Sequence, residues 1–174
     1  MEIRQPEKEE VHAISEIHLK AFEGFFLSEL GKDFLFTYYD ALRNNNRGIL
    51  LGFYENENLL GFCAATTLSE GFNTYLVKSN FFSFAKIALF LLFKSDPSVN
   101  DNGIYAELLS IGVSPTAQGK GVGKKLLMAL EEYLNDKNVS QLSLTTDYYD
   151  NEKTLNFYKG MGYEIMYDFV AYPD

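Results

Sequence analysis

The chain is expected to form an α+β domain in which helices flank a sheet, and three stretches of sequence carry that expectation. Gly48 to Tyr54 and Asn58 to Leu68 are apolar runs of strand character, and the intervening Glu55-Asn56-Glu57 makes them an antiparallel hairpin. Gly103 to Val113 is a longer strand run, stopped by Ser114-Pro115. Directly after it, Val122, Leu126, Leu127, Leu130, Tyr133 and Leu134 recur at i, i+4, i+5, i+8, i+11 and i+12, the spacing of one apolar helix face. A length of 174 residues fits one core, so residues 1–174 read as a single domain.

The remaining elements follow in order. Glu2 to Gln5 reads as a short strand, and Pro6, Glu7, Glu9 and Glu10 suit a helix first turn, where proline lacks an N–H and acids meet the dipole. That helix runs to about Lys20 with Val11, Ile14 and Ile17 on its apolar face, and His12 and His18 are expected at solvated or boundary positions with no chemical role. A second helix is expected from near Ser28 to about Arg43, ending at Asn44-Asn45-Asn46. Cys63 lies inside a strand and reads as a packing thiol, not a nucleophile. Residues 69–102 read as an insertion. Its apolar stretch Phe81 to Phe93 carries Lys86 and falls short of the ~20 residues that span a bilayer, so a buried or pocket-covering helix is expected. Ser140 to Thr146 reads as a strand, Asn151 to about Lys159 as a helix and Tyr163 to Ala171 as a final strand.

Composition excludes several classes of function. Fifteen Lys and Arg against 24 Asp and Glu give a net charge of −9, a field that repels phosphate backbones, so no nucleic-acid partner is expected and cationic small molecules are favoured. The single cysteine allows no internal disulfide, and two histidines without a Cys/His cluster argue against a metal site. The charged MEIRQPEKEE start has no apolar h-region, so a cytoplasmic protein without a transmembrane segment is expected.

The chemistry concentrates in Gln118-Gly119-Lys120-Gly121-Val122-Gly123-Lys124, which joins the third strand run to the amphipathic helix. Glycines entering a helix let the backbone approach a ligand and aim unpaired N–H groups at it, which suits a phosphate or pyrophosphate. Lys120, Lys124 and Lys125 make this the one basic patch on an acidic chain. A Walker loop needs a glycine where Gln118 stands and a Ser or Thr where Lys125 stands, so nucleotide triphosphate hydrolysis is excluded. The G-x-G-x-x-G dinucleotide pattern fails because Gly119, Gly121 and Gly123 are spaced by two.

Gln118, Gly121 and Gly123 do match a Q/R-x-x-G-x-G/A pattern, directly after a strand ending Ile111-Gly112-Val113-Ser114-Pro115. Downstream, Asn151, Thr154, Phe157, Tyr158, Gly162 and Tyr163 fit N-x-x-A-x-x-(L/F)-Y-x-x-x-G-(F/Y), with Thr154 replacing alanine. Over roughly residues 105–165 the chain thus resembles the GNAT superfamily of acetyl-CoA-dependent N-acetyltransferases; residues 1–100 match only by element order. The resemblance implies a mixed, twisted sheet whose central strands splay, with acetyl-CoA as cosubstrate and no metal. It implies that the amides of Gln118, Gly119, Lys120, Gly121, Val122, Gly123 and Lys124 hold the pyrophosphate. The pantetheine arm and the oxyanion would then meet the backbone of Ile111, Gly112 and Val113, with Asn151 and Phe157 as further coenzyme contacts. Tyr158 becomes the acid that protonates the departing thiolate, and Glu107 the candidate base, with Asp147, Tyr148 and Tyr149 as rivals. The acceptor is expected to be a primary amine of a small molecule, first an amino sugar or sugar nucleotide and second a peptide amine, shaped by Phe22 to Leu30 and residues 70–100. Two other readings stay open: a non-catalytic coenzyme-binding regulatory module, and transfer of longer acyl chains. The chain is expected to act as a monomer or homodimer.

Overall fold

A computed structural model describes residues 1–69, 72, 105–147 and 151–168. They group in two compact units, Met1–Leu144 and Thr145–Asp174. The expected apolar helix at Phe81 to Phe93 and the candidates Tyr148 and Tyr149 lie outside the described residues.

In the first unit, strand β1 (Glu2–Arg4) precedes helices α1 (Val11–Ala21), α2 (Phe26–Glu29) and α3 (Lys32–Arg43). The hairpin β2 (Gly48–Glu55) and β3 (Asn58–Thr66) is next, then β4 (Ala106–Val113), α4 (Val122–Asp136) and β5 (Leu142–Leu144). The sheet order is β1-β2-β3-β4-β5; the first four strands pair antiparallel and β5 pairs parallel to β4. This is the mixed sheet flanked by helices that the sequence leads one to expect. The second unit holds α5 (Glu152–Gly160).

Several boundaries differ for local physical reasons. The first helix begins later than Pro6: Lys8–Glu10 form a 3-10 turn in which Glu7 and Glu10 close a reciprocal capping box. Glu10 also takes both arms of the Arg4 guanidinium at 2.8 Å and the Tyr54 hydroxyl at 3.1 Å. The Arg4 hydrogen bonds, first among the causes, hold its carboxyl down at about 2. The helix expected from Ser28 to Arg43 is broken into α2 and α3 at Gly31, whose φ is 86°. Tyr133 is 39% exposed and so leaves the buried face of α4, which is Val122, Leu126, Leu127, Leu130 and Leu134. The strand expected over Tyr163 to Ala171 does not form over 163–168, and residues 169–171 lie outside the described residues.

His18 reverses its expected placement. It falls four residues after Ile14 on the buried face of α1 and is 2% exposed, whereas His12 is exposed. Burial pulls its imidazole down to about 4 from the ordinary 6.5. The unfolded chain therefore takes up this proton at a higher pH than the folded one. Stability should fall as pH drops from 6.5 to 4, by about 2 to 3 kcal/mol in all. Urea unfolding across that window should show the slope in the native sequence and lose most of it in His18→Gln. Glu10, whose folded value is depressed, withdraws its own contribution lower, as pH falls from 4.5 towards 2.

Candidate functional site

The glycine turn takes its form from backbone conformation. After a 3-10 turn at Pro115–Ala117, the chain passes Gly119 and Gly121 with φ of 75° and 76°, and Gly121 is the left-handed N-cap of α4. Side chains rarely tolerate that region. A Cβ added at either glycine would meet nothing within 4 Å among the described residues, so the glycines answer a conformational demand and not crowding by those residues. The first accepted bond of α4 runs from Lys125 N–H to Gly121 O at 3.1 Å. Among the described residues, the amides of Val122, Gly123 and Lys124 have no backbone acceptor and no side-chain cap serves them. Three N–H groups with the helix dipole behind them are thereby offered to an anion.

The side chains around the turn divide. Gln118, Lys120 and Lys124 are exposed. Val122 is 3% exposed and seats against Gly61, where an added Cβ would come within 2.9 Å of it; only its main chain is available to a ligand. Lys125, expected in the basic patch, instead lies 3.6 Å from Met1 Sδ and 5.5 Å from the Phe53 ring centre.

β4 delivers the neighbouring residues. Its ladder with β5 covers only Ala106–Leu108, so from Leu109 to Val113 that edge has no strand partner among the described residues. β5 itself ends at Leu144, and the ladder stops with it. On the other edge Ser110 faces Ala64 while Leu108 faces Ala65, which leaves Leu109 as an extra residue, a β-bulge. The bulge resets the alternation. Ser110 and Gly112 pair with Ala64 and Phe62, Glu107 pairs with Thr66, and Ile111 pairs with Cys63. Glu107, Ser110 and Gly112 therefore share one face, and Ile111 and Val113 take the other. Gly112 is dictated by crowding, because a Cβ there would stand 2.7 Å from the Phe62 ring.

Glu107 is half-buried and accepts a hydrogen bond from Ser69 Oγ at 2.5 Å. The buried Tyr38 phenol is held well above its ordinary range, first by burial and then by the Glu107 charge. In the second unit, Asn151 sits at the N-cap of α5, yet its Nδ2 donates to Thr146 Oγ1 and Asp147 O, each at 2.9 Å. Tyr158 is half-buried, with ring centres of Phe157 and Tyr163 at 5.1 and 5.7 Å.

One set of polar residues was not foreseen from the sequence. His18 Nδ1 lies 2.6 Å from the Tyr39 hydroxyl, which lies 3.0 Å from Ser110 Oγ. The available signal was position 18 on the Ile14 face of α1. Cys63 is fully buried and its thiol is pushed up to about 12 by desolvation, as expected for a packing residue. Among the described residues, no group of three or more His, Cys, Asp or Glu could hold a metal, and no helix is long and apolar enough to cross a membrane.

The chain is similar to known proteins in sequence and in fold. A family model described as the acetyltransferase (GNAT) family matches residues 11–163. A mycothiol acetyltransferase of Rhodococcus jostii is 33% identical over 79 residues, covering 45% of this chain and 26% of that protein. Another from Renibacterium salmoninarum is 39% identical over 57 residues, 33% of this chain and 17% of that protein. The alignments thus span about a quarter or less of those relatives' length. Among solved structures, aminoglycoside N-acetyltransferase AAC(6')-Iy in complex with a bisubstrate analogue superposes with a TM-score of 0.71 at 14% identity, covering 99% of this chain and 97% of that one. A transcriptional regulator from Bacillus halodurans superposes with a TM-score of 0.66, also at 14% identity, over 97% and 96% of the two chains. The family match runs over well more than half of the sequence, and the chain belongs to the acetyltransferase (GNAT) family.

Proposed function

We propose that residues 1–174 form one acetyltransferase domain that moves an acetyl group from acetyl-CoA to a primary amine of a small molecule in the cytoplasm. The observation that carries this reading is the N-terminus of α4, where three amides without a partner among the described residues follow a left-handed turn that leads from β4, whose edge past Leu108 has no strand partner among those residues. The turn would take the diphosphate and the edge the pantetheine arm, which delivers the thioester near Ile111 to Val113. The amine nitrogen then attacks the carbonyl, a C–N bond forms, the C–S bond breaks, and the thiolate takes a proton from Tyr158. Glu107, hydrogen-bonded to Ser69, would remove the proton from the attacking amine. Location in the cytoplasm is supported by a lone, buried cysteine in a chain that can form no internal disulfide.

For the acceptor, the named activity of AAC(6')-Iy favours an amine carried on a sugar, and the net charge of −9 favours the approach of a cationic one. A peptide amine is the alternative. A second reading is supported by the Bacillus halodurans regulator: the same fold could bind the coenzyme without turnover. Free thiol measured with acetyl-CoA against amino sugars, polyamines and peptides separates them. Amine-dependent thiol release at least tenfold above hydrolysis is expected with one class of amine. Calorimetric binding of the coenzyme with no release across the panel would favour the regulatory reading, and no binding would remove both.

A further inference from the structure

We propose that His18 and Tyr39 are positioning residues for Ser110, and that this three-residue chain fixes the bulged stretch of β4 on which the acetyl group would lie. The inference rests on the acetyltransferase reading for its chemistry, but its structural content stands apart. At Leu109 two restraints lapse together: the ladder to β3 is interrupted by the extra residue, and the ladder to β5 has already ended. The strand is least determined there. Ser110 is the next residue, and its hydroxyl is gripped by Tyr39 of α3, which is gripped in turn by His18 of α1. Three elements therefore meet at the point where β4 lacks support.

The surroundings make this grip stiff. Tyr39 is fully buried, with the Phe62 ring 5.2 Å away edge-on, and His18 is flanked by Phe22 at 4.7 Å and Phe62 at 6.4 Å. His18 Nε2 is buried without a partner among the described residues. A bare lone pair is easier to bury than an unpaired N–H, so the proton belongs on Nδ1. The bonds then run one way, from His18 Nδ1–H to Tyr39 and from the Tyr39 hydroxyl to Ser110. A neutral imidazole inside an aromatic cage keeps that direction, and Ser110 has one preferred rotamer instead of several. Fixing Ser110 fixes the main-chain groups on either side of it, including those of Ile111.

The test uses the full chain and four variants: Ser110→Ala, which leaves the His18 to Tyr39 bond intact, Tyr39→Phe, the two combined, and Ser110→Thr. In the free protein, hydrogen exchange at the amides of residues 109–113 should quicken about tenfold relative to the amides of β2 in Ser110→Ala and Tyr39→Phe. Ser110→Thr should restore the native rate. With acetyl-CoA and an active amine, kcat should fall about tenfold in the same two variants while the Kd for CoA stays within about twofold, and the double variant should be no worse than Tyr39→Phe alone. Exchange that rises equally in β2 and β4, or losses of kcat that multiply in the double variant, would overturn the proposal. If the native chain neither binds CoA nor turns over, the acetyltransferase reading fails, and the exchange measurement still decides whether the chain of residues holds the bulge.

Discussion

Replacing Tyr158 with phenylalanine is expected to lower kcat about 100-fold, the lower end of what a general acid contributes, because a thiolate leaves more readily than an alkoxide. Phenylalanine keeps the ring contacts with Phe157 and Tyr163. The main-chain oxygen of Tyr158, which accepts from Met161 and Tyr163 at 3.0 Å, is untouched. Urea unfolding of the variant, run beside the kinetics, checks that the fold is retained. Loss of turnover with the Kd for CoA preserved assigns the hydroxyl to proton delivery. An unchanged kcat in a variant of native stability would return Tyr158 to a packing role and leave the departing thiolate to be protonated by water.

Gly121→Val should weaken coenzyme binding about 100-fold, the equivalent of about 2.7 kcal/mol. At φ 76° a β-branched residue is a genuine outlier, so the turn must either store strain or relax to negative φ and redirect the amides of Val122, Gly123 and Lys124. The new isopropyl group also enters the space that an approaching diphosphate would use, where a Cβ meets no described residue within 4 Å. Gly121→Asn is the informative partner. Asparagine visits the left-handed region more readily, so its affinity should lie within severalfold of native. Calorimetry with CoA on both variants separates conformation from bulk. Equal and small losses would show that the α4 amides do not carry the coenzyme.

The amphipathic spacing of α4 and the polar Glu55-Asn56-Glu57 break of the hairpin were legible because each depends on neighbours in sequence. The glycine turn was legible for the same reason: its demand is on φ, and glycine is the residue that meets it. Glu107 was harder to place, because the bulge at Leu109 alters which residues share its face, and a register slip leaves no mark in hydrophobic periodicity. Tyr39 and Ser110 are 71 positions apart, so no local pattern could join them. Tyr133 shows the opposite failure: its spacing fits the apolar stripe of α4, yet its side chain is left partly in solvent.

Cys63 has a practical bearing on how this protein can be studied. It is the sole cysteine, fully enclosed, and its proton is held up to about 12. A chromogenic disulfide reagent should leave the folded chain unmodified. Colour developing in a continuous assay would then report released CoA alone, over a flat baseline. Delayed consumption of dye by the protein itself would mark the moment a preparation begins to unfold.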